Sequence, residues 1–178
     1  MSNLRLINET SISSSVSSIN IEDVFSSDFD IYKITATGIS TTGTAYVDVN
    51  MRLINSSDSV VSSSDYKYSA RVNLDWGASG DVKSTGNDNI YRAFGESTDQ
   101  SPEVASSVIW VFNPYASSEY TQVLYQNSQF YGGSYYTSYF GGGWLVDNQS
   151  ITGFQCIENN GSRPLASGTF RTYGLAVD

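Results

Sequence analysis

The chain has 178 residues, nine Lys and Arg against 18 Asp and Glu, one cysteine and no histidine, giving a formal net charge of −9 at pH 7. Nucleic acid and anionic membranes are poor partners for this balance, because both draw affinity from clustered Lys and Arg, and the cations here are scattered. The lack of histidine excludes the usual general base near neutral pH, the Ser–His and Cys–His nucleophile pairs and the commonest metal ligand.

Length and composition predict one domain over residues 1–178, large enough to bury a core without disulfides. Its first eleven residues form an N-terminal strand or an arm used in attachment. Leu4–Asn8 opens that stretch, and no basic segment followed by an apolar run and a cleavage site is visible. No apolar run approaches the roughly 18 residues needed to cross a bilayer, so a soluble product is expected. Cys156 has no partner within the chain, which fits synthesis in a reducing cytoplasm. Charged residues make up 15% of the chain, against roughly 25% in ordinary domains. Hydroxyls, amides and phenols take their place, as suits a particle exterior or an adhesive.

Along the chain the period is two. Val16–Ile21 and Ile31–Ile39 read as strands. Ala45, Val47, Val49, Met51 and Leu53 then alternate with Tyr46, Asp48, Asn50, Arg52 and Ile54. Tyr66, Tyr68, Ala70, Val72, Leu74 and Trp76 repeat the pattern, with Lys67, Ser69, Arg71, Asn73 and Asp75 between them. Val104–Tyr115, Tyr120–Asn127, Gln149–Ile157 and Ser167–Val177 are further β-type runs, rich in Val, Ile, Tyr, Phe, Trp and Thr. Turn-forming clusters are predicted at Gly38–Gly43, Asn55–Ser64, Gly77–Asn89, Gly95–Pro102, Gly141–Gly143 and Asn159–Pro164. Asp88–Phe94 offers one short helical turn at most. The pattern predicts an all-β, jelly-roll-like antiparallel β-sandwich of roughly 8–10 strands.

Chemistry is sparse. Cys156 lies in a strand-like run with nothing nearby to lower its pKa, and reads as a buried structural thiol. No phosphate-cradling glycine loop occurs, so no cofactor is expected. Glu22, Asp23, Glu96, Asp99, Glu103, Glu119, Asp147 and Glu158 lie outside the clear strands. Two of them would have to converge to about 5–10 Å for glycoside hydrolysis, and solvated surface is the ordinary reading. Asn87-Asp88-Asn89 resembles part of an oxygen-rich cation loop but lacks the central Gly and distal Glu of a calcium-binding hand, so no metal is assigned.

The unusual segment is Gln129–Trp144, where Phe130, Tyr131, Tyr135, Tyr136, Tyr139, Phe140 and Trp144 are interleaved with Gly and Ser. Aromatic rings on an adaptable backbone suit a contact or ligand surface. Three readings compete: a strand–turn–strand whose rings fill core and sheet surface, a protein contact, and a sugar-stacking platform.

Two further segments carry a resemblance. In Ser15–Ile34, Phe25 and Phe29 flank the polar turn Ser26-Ser27-Asp28, and Phe29-Asp30-Ile31-Tyr32-Lys33-Ile34 opens the next strand. In the closing segment, Ser167-Gly168-Thr169-Phe170-Arg171-Thr172-Tyr173-Gly174-Leu175 follows Ile151-Thr152-Gly153-Phe154. Together they resemble a jelly-roll β-sandwich module of tailed-bacteriophage virion proteins of the marine and cyanophage type, covering about residues 12–176 while the middle departs freely. In physical terms, Phe25 and Phe29 close the bend by packing on each other, and Tyr32, Ile34 and Ala36 share one strand face. Arg171, Tyr173 and Leu175 oppose Phe170 and Thr172, and Gly168 and Gly174 permit a bend or close approach. The resemblance implies a virion structural protein made in the host cytoplasm. Its expected role is a capsid decoration or knob subunit touching the major capsid protein or other virion proteins, and self-associating. The alternative it implies is a tail-fibre or baseplate module that recognises host surface polysaccharide. Neither reading is an enzyme.

Overall fold

The structure is a computed structural model that describes residues 3–131, 133–159 and 161–176. Twelve antiparallel strands form two sheets, and no helix occurs among the described residues. The large sheet has the order β1-β12-β3-β8-β9-β10-β5-β6 and the small sheet β2-β11-β4-β7. These strands are β1 (Leu4–Ser11), β2 (Ser18–Ile21), β3 (Ile31–Thr41), β4 (Val47–Asn55), β5 (Tyr66–Leu74) and β6 (Gly80–Asn87). The second half comprises β7 (Ile90–Ser97), β8 (Ala105–Phe112), β9 (Gln122–Tyr131), β10 (Tyr135–Leu145), β11 (Ile151–Glu158) and β12 (Leu165–Leu175).

Without the hairpins β5–β6 and β9–β10, the remaining eight strands run 1-8-3-6 in one sheet and 2-7-4-5 in the other when renumbered in chain order. That is jelly-roll topology: apart from the central fourth and fifth strands, which pair with each other, successive strands alternate between sheets, and first and last strands lie side by side. Both hairpins extend the large sheet beyond β8, which is why the strand total exceeds the 8–10 expected from turn spacing. The predicted arm is part of the fold, since Leu4–Ser11 pairs with β12; Met1, Ser2, Val177 and Asp178 lie outside the described residues.

Alternation explains the core. Tyr32, Ile34 and Ala36 of β3, Val49, Met51 and Leu53 of β4, Ile109 and Val111 of β8, and Phe170 of β12 are all fully buried. Phe94 meets Phe170 edge-on at 5.5 Å between ring centroids, and Phe154 lies within 6.4 Å of both. Such pairs add about 0.5–1.5 kcal/mol to the ordinary gain from burial. Cys156 is buried in the same layer, and desolvation pushes its thiol well above the usual range.

The Ser15–Ile34 motif acts differently from the sequence expectation. Phe25 and Phe29 both pack edge-on against Tyr32, at 4.8 and 5.7 Å. The Tyr32 hydroxyl ties off the bend, donating to the Ser26 carbonyl at 2.9 Å and accepting from its N–H at 2.8 Å. Phe29 also lies flat over Gly174, where a Cβ would stand 2.3 Å from the ring, so the opening bend and closing strand are mutually fitted. Gly168, at φ 152°, sits inside a register shift of the β12–β3 pairing, between Ser167 and Thr169.

Several turn expectations are corrected, and the predicted Gly38–Gly43 turn lies within β3 as far as Thr41. Gly77–Asn89 contains β6, an edge strand whose sequence is too polar to announce itself and which pairs only with β5. Asp88–Phe94 makes no helical turn: β7 begins at Ile90, and its alternation is broken by a bulge in which five residues of β7 span two of β4. That strand runs on into the predicted Gly95–Pro102 turn as far as Ser97. Gly141–Gly143 lies inside β10. A Cβ on these three residues would stand 2.3 Å from the Ala70 Cβ, 2.6 Å from the Val123 carbonyl and 2.8 Å from the Lys67 carbonyl. Glycine is there because neighbouring strands approach closely, not because the chain turns.

Replacing Tyr32 by Phe should cost about 1–3 kcal/mol in urea denaturation, since it leaves the Ser26 groups without their partner. Gly174→Val should cost more, and an unchanged midpoint for either variant would refute this account of the bend.

Candidate functional site

The two sheets differ on their outer faces. On the small sheet, adjacent strands place Asn20, Gln155 and Arg52 in one cross-strand row. Gln155 donates to Asn20 at 2.9 Å, and Arg52 pairs with Asp88, so this face is a polar ladder.

The large sheet is apolar outside as well as inside. In β8, Ile109 and Val111 enter the core while Val108, Trp110 and Phe112 point outward. Registers across β3, β8, β9, β10, β5 and β6 assemble outward side chains into rows. One reads Phe112, Gln122, Trp144, Lys67. The next reads Lys33, Trp110, Leu124, Gly142, Ser69, Lys83. The third reads Thr35, Val108, Gln126, Phe140, Arg71, Asp81. A hydroxyl row, Ser106, Ser128, Ser138, follows, and beyond it Phe130 faces Tyr136. Phe140 and Leu124 are the most exposed of the large apolar side chains, at 59% and 54%.

Because Gly142 has no side chain, the second row dips in the middle. A groove of about 530 Å³ lies there, walled by Phe112, Leu124 and Trp144 and edged by Gln122, Lys67 and Ser69. A second depression of about 420 Å³ opens between Val104, Phe130 and Tyr136. A hydroxyl-lined depression, bordered by Thr35, Ser106, Gln126 and Ser128, lies between them.

The aromatic segment is therefore split by strand parity. Phe130, Tyr136, Phe140 and Trp144 stand on the outer face. Tyr135 is exposed at the end of the sheet, its ring 4.7 Å from that of Trp76. Tyr131 ends β9, and its side chain lies outside the described residues. Tyr139 is corrected: it is 2% exposed and points inward, because it has the opposite parity to Phe140. Among the motif residues, Phe25, Tyr32 and Phe29 serve the bend, Arg171 pairs with Glu9 at 2.6 Å, and Tyr173 is half-buried.

Tyr139 belongs to an internal network. Arg92, in the β7 bulge at φ 50°, pairs with Asp48 at 2.7 Å and Glu96 at 2.9 Å, and donates to the Tyr139 hydroxyl. Tyr139 in turn donates to Glu96 at 3.1 Å. The unusual Arg92 backbone is held from both sides, its N–H donating to Asn50 at 2.8 Å and its carbonyl accepting from Asn127 at 2.6 Å. Tyr91 and Tyr139 flank the guanidinium at 4.7 and 5.0 Å. Burial pushes Glu96 above the usual carboxylate range, partly offset by Arg92 and reinforced by Asp48. These charges are spent on one another, so the network works as a brace.

Of the other candidate carboxylates, Glu103 accepts from Tyr46 and is buried, and Glu158 is buried under the Arg163 backbone. Asp88 is engaged by Arg52 and Asn89, and no group of three or more potential metal ligands occurs among the described residues.

Sequence reasoning missed Val108, Trp110, Phe112, Leu124 and the flanking lysines as parts of the face. The available signal was Val104–Tyr115, whose core residues are apolar on both strand faces, the mark of a strand covered on both sides.

No family model and no curated protein matches the chain. A solved structure of infectious bursal disease virus, Gx strain, aligns at 11% identity over 98% of this chain and 36% of that chain, with a TM-score of 0.18. The chain thus spans about a third of that protein's length, and a likeness this slight carries no argument.

Two measurements test the division into brace and face. Tyr139→Phe should lower stability by about 1–3 kcal/mol, whereas Phe140→Ser should leave it within about 0.5 kcal/mol. Glu96 holds its proton more tightly folded than unfolded, so its stabilising contribution is complete at low pH and is lost as pH rises through its raised pKa. The stability of Glu96→Gln relative to wild type should therefore improve from about pH 4.5 to 7. A difference flat with pH would show that Glu96 titrates alike in both states.

Proposed function

We propose that this chain is a structural component of a bacteriophage virion, decorating the capsid as a knob or cement-like subunit that works by protein–protein contact. The observation that carries the reading is the asymmetry between faces: a polar ladder outside the small sheet, and aromatic and aliphatic rows outside the large one. Monomeric proteins rarely expose contiguous apolar patches beyond a few hundred Å², and larger ones mark interaction sites. Between β3 and β6 the face is about 24 Å wide at the usual strand spacing, its apolar side chains on β8, β9 and β10 and polar ones on the flanking strands. With about 26 Å of strand length it reaches on the order of 600 Å², comparable to the roughly 800 Å² that each partner contributes to a standard interface. The resemblance of the opening and closing segments to phage virion modules supplies the setting. The large-sheet face then lies against the major capsid protein or another virion protein, with the acidic loops and small sheet outward. Self-association belongs to this reading, because β6 and β7 are sheet edges that a neighbouring copy can cover. No nucleic acid, membrane or cofactor enters it.

A second reading, a tail-borne module for host polysaccharide, is favoured by one feature. The groove over Gly142 sets Trp144 and Phe112 beside Gln122 and Lys67, a ring surface next to hydrogen-bonding groups.

Virions carrying Phe140→Ser with Trp144→Ser should hold at least about tenfold fewer copies of the chain, the two rings being central to the patch. Melting of the purified variant should be unchanged. Full occupancy by the variant, or absence of the wild-type chain from virions, would overturn the decoration reading. Saturable binding of host polysaccharide by the wild type, lost in the variant, would establish the second.

A further inference from the structure

We infer that the surface which the large-sheet face receives is an acidic protein surface, held by an apolar centre and steered by a rim of three lysines; this rests on the decoration reading above. The chain has three lysines, Lys33, Lys67 and Lys83, and all project from this one face. Lys33 and Lys83 stand at opposite ends of the same row, with Trp110, Leu124, Gly142 and Ser69 between them. Lys67 closes the adjacent row beside Trp144. None forms an ion pair among the described residues, whereas Arg52, Arg71, Arg92 and Arg171 all do. Lys33 lies 5.6 Å from the centre of the Trp110 ring, which orients the ammonium without neutralising it.

Carboxylates at the outward strand positions of this face are Glu9 and Asp81, and both are neutralised, by Arg171 and Arg71. The remaining acids sit in loops, on the small sheet or inside, with Asp75 just past the end of β5. A chain of net charge −9 thus gathers its three lysines on one side. The arrangement follows interface anatomy: rings and branched aliphatics at the centre, charge at the rim where water remains. Lysine suits that rim, as a strongly hydrated point charge on a flexible stem. Rim cations raise the rate of encounter with an oppositely charged surface. Val108, Leu124 and Phe140 at the centre call for apolar side chains in the partner, which a hydroxyl-rich sugar does not offer.

The test measures association of the purified full chain with virions assembled without it, across NaCl concentrations, for wild type and two triple variants. In Lys33→Glu, Lys67→Glu, Lys83→Glu, association at about 50 mM salt should slow on the order of 100-fold, and dissociation should change little. Lys33→Arg, Lys67→Arg, Lys83→Arg should retain the wild-type rate and its fall with salt. Wild-type binding that ignores both salt and charge reversal overturns this inference and leaves the decoration reading standing. No wild-type binding to virions at any salt overturns both. Salt-sensitive self-association without virion binding assigns the face to a second copy, and binding of polygalacturonate instead of virions assigns it to an acidic glycan; either result overturns the proposal. Because all three positions are solvent-facing, circular dichroism and melting should match wild type in every variant.

Discussion

An eight-stranded sheet cannot be covered by a four-stranded one, and much of this molecule follows from how the difference is closed. The small sheet ends at β7, opposite the point where β9 and β10 carry the large sheet onward. Beyond that edge the inner surface of the hairpins needs another cover. Arg92 supplies it by leaving the regular ladder in a bulge and reaching Asp48, Glu96 and Tyr139, so that one guanidinium joins β4 and β7 to β10. Tyr91 extends the same cover, stacking on Tyr68 at 5.8 Å and accepting from the Tyr125 hydroxyl through its carbonyl. Two layers of hydrophobic side chains hold the eight-strand jelly roll, and a charged, aromatic hinge of side chains holds the extension.

This closure has a cost that shapes the site. Partly buried charges must be fully engaged with one another, because an uncompensated charge in such a place is strongly destabilising. Arg92, Asp48 and Glu96 therefore have little left for a ligand, and their raised or paired states describe a brace and not a reactive cleft. Extension also has a benefit: it widens the outer face from four strands to eight, and that added width carries Leu124, Phe140 and Trp144. The same two hairpins thus create the need for the brace and the area of the exposed apolar face. The apolar outer face and the internal electrostatics are two sides of one sheet.

How much of this was legible in the chain varied with the physics of each segment. Strands that alternate polar and apolar residues, such as β4 and β5, announce themselves by that alternation, and so did the burial of Tyr32, Ile34, Ala36 and Phe170. β6 did not, because an edge strand paired on one side has little apolar content to show. β7 did not, because its bulge shifts the period in mid-strand and mixes Arg92 and Glu96 with Ile90 and Phe94. Gly141–Gly143 reads as a turn by composition and becomes strand only because Ala70, Val123 and Lys67 press in from either side.

By itself the sequence determined an all-β sandwich, a buried lone thiol, a bend closed by aromatic rings and a strand–turn–strand rich in aromatic residues. Those properties depend on side-chain period and local turn chemistry, which neighbours along the chain specify. Tertiary structure alone decided that Tyr139 belongs to the brace while Phe140 belongs to the face, that Trp110 and Trp144 flank one groove, and that three lysines distant in sequence share a rim. Those facts depend on strand register, and register is a pairing between segments up to more than a hundred residues apart that no local pattern records.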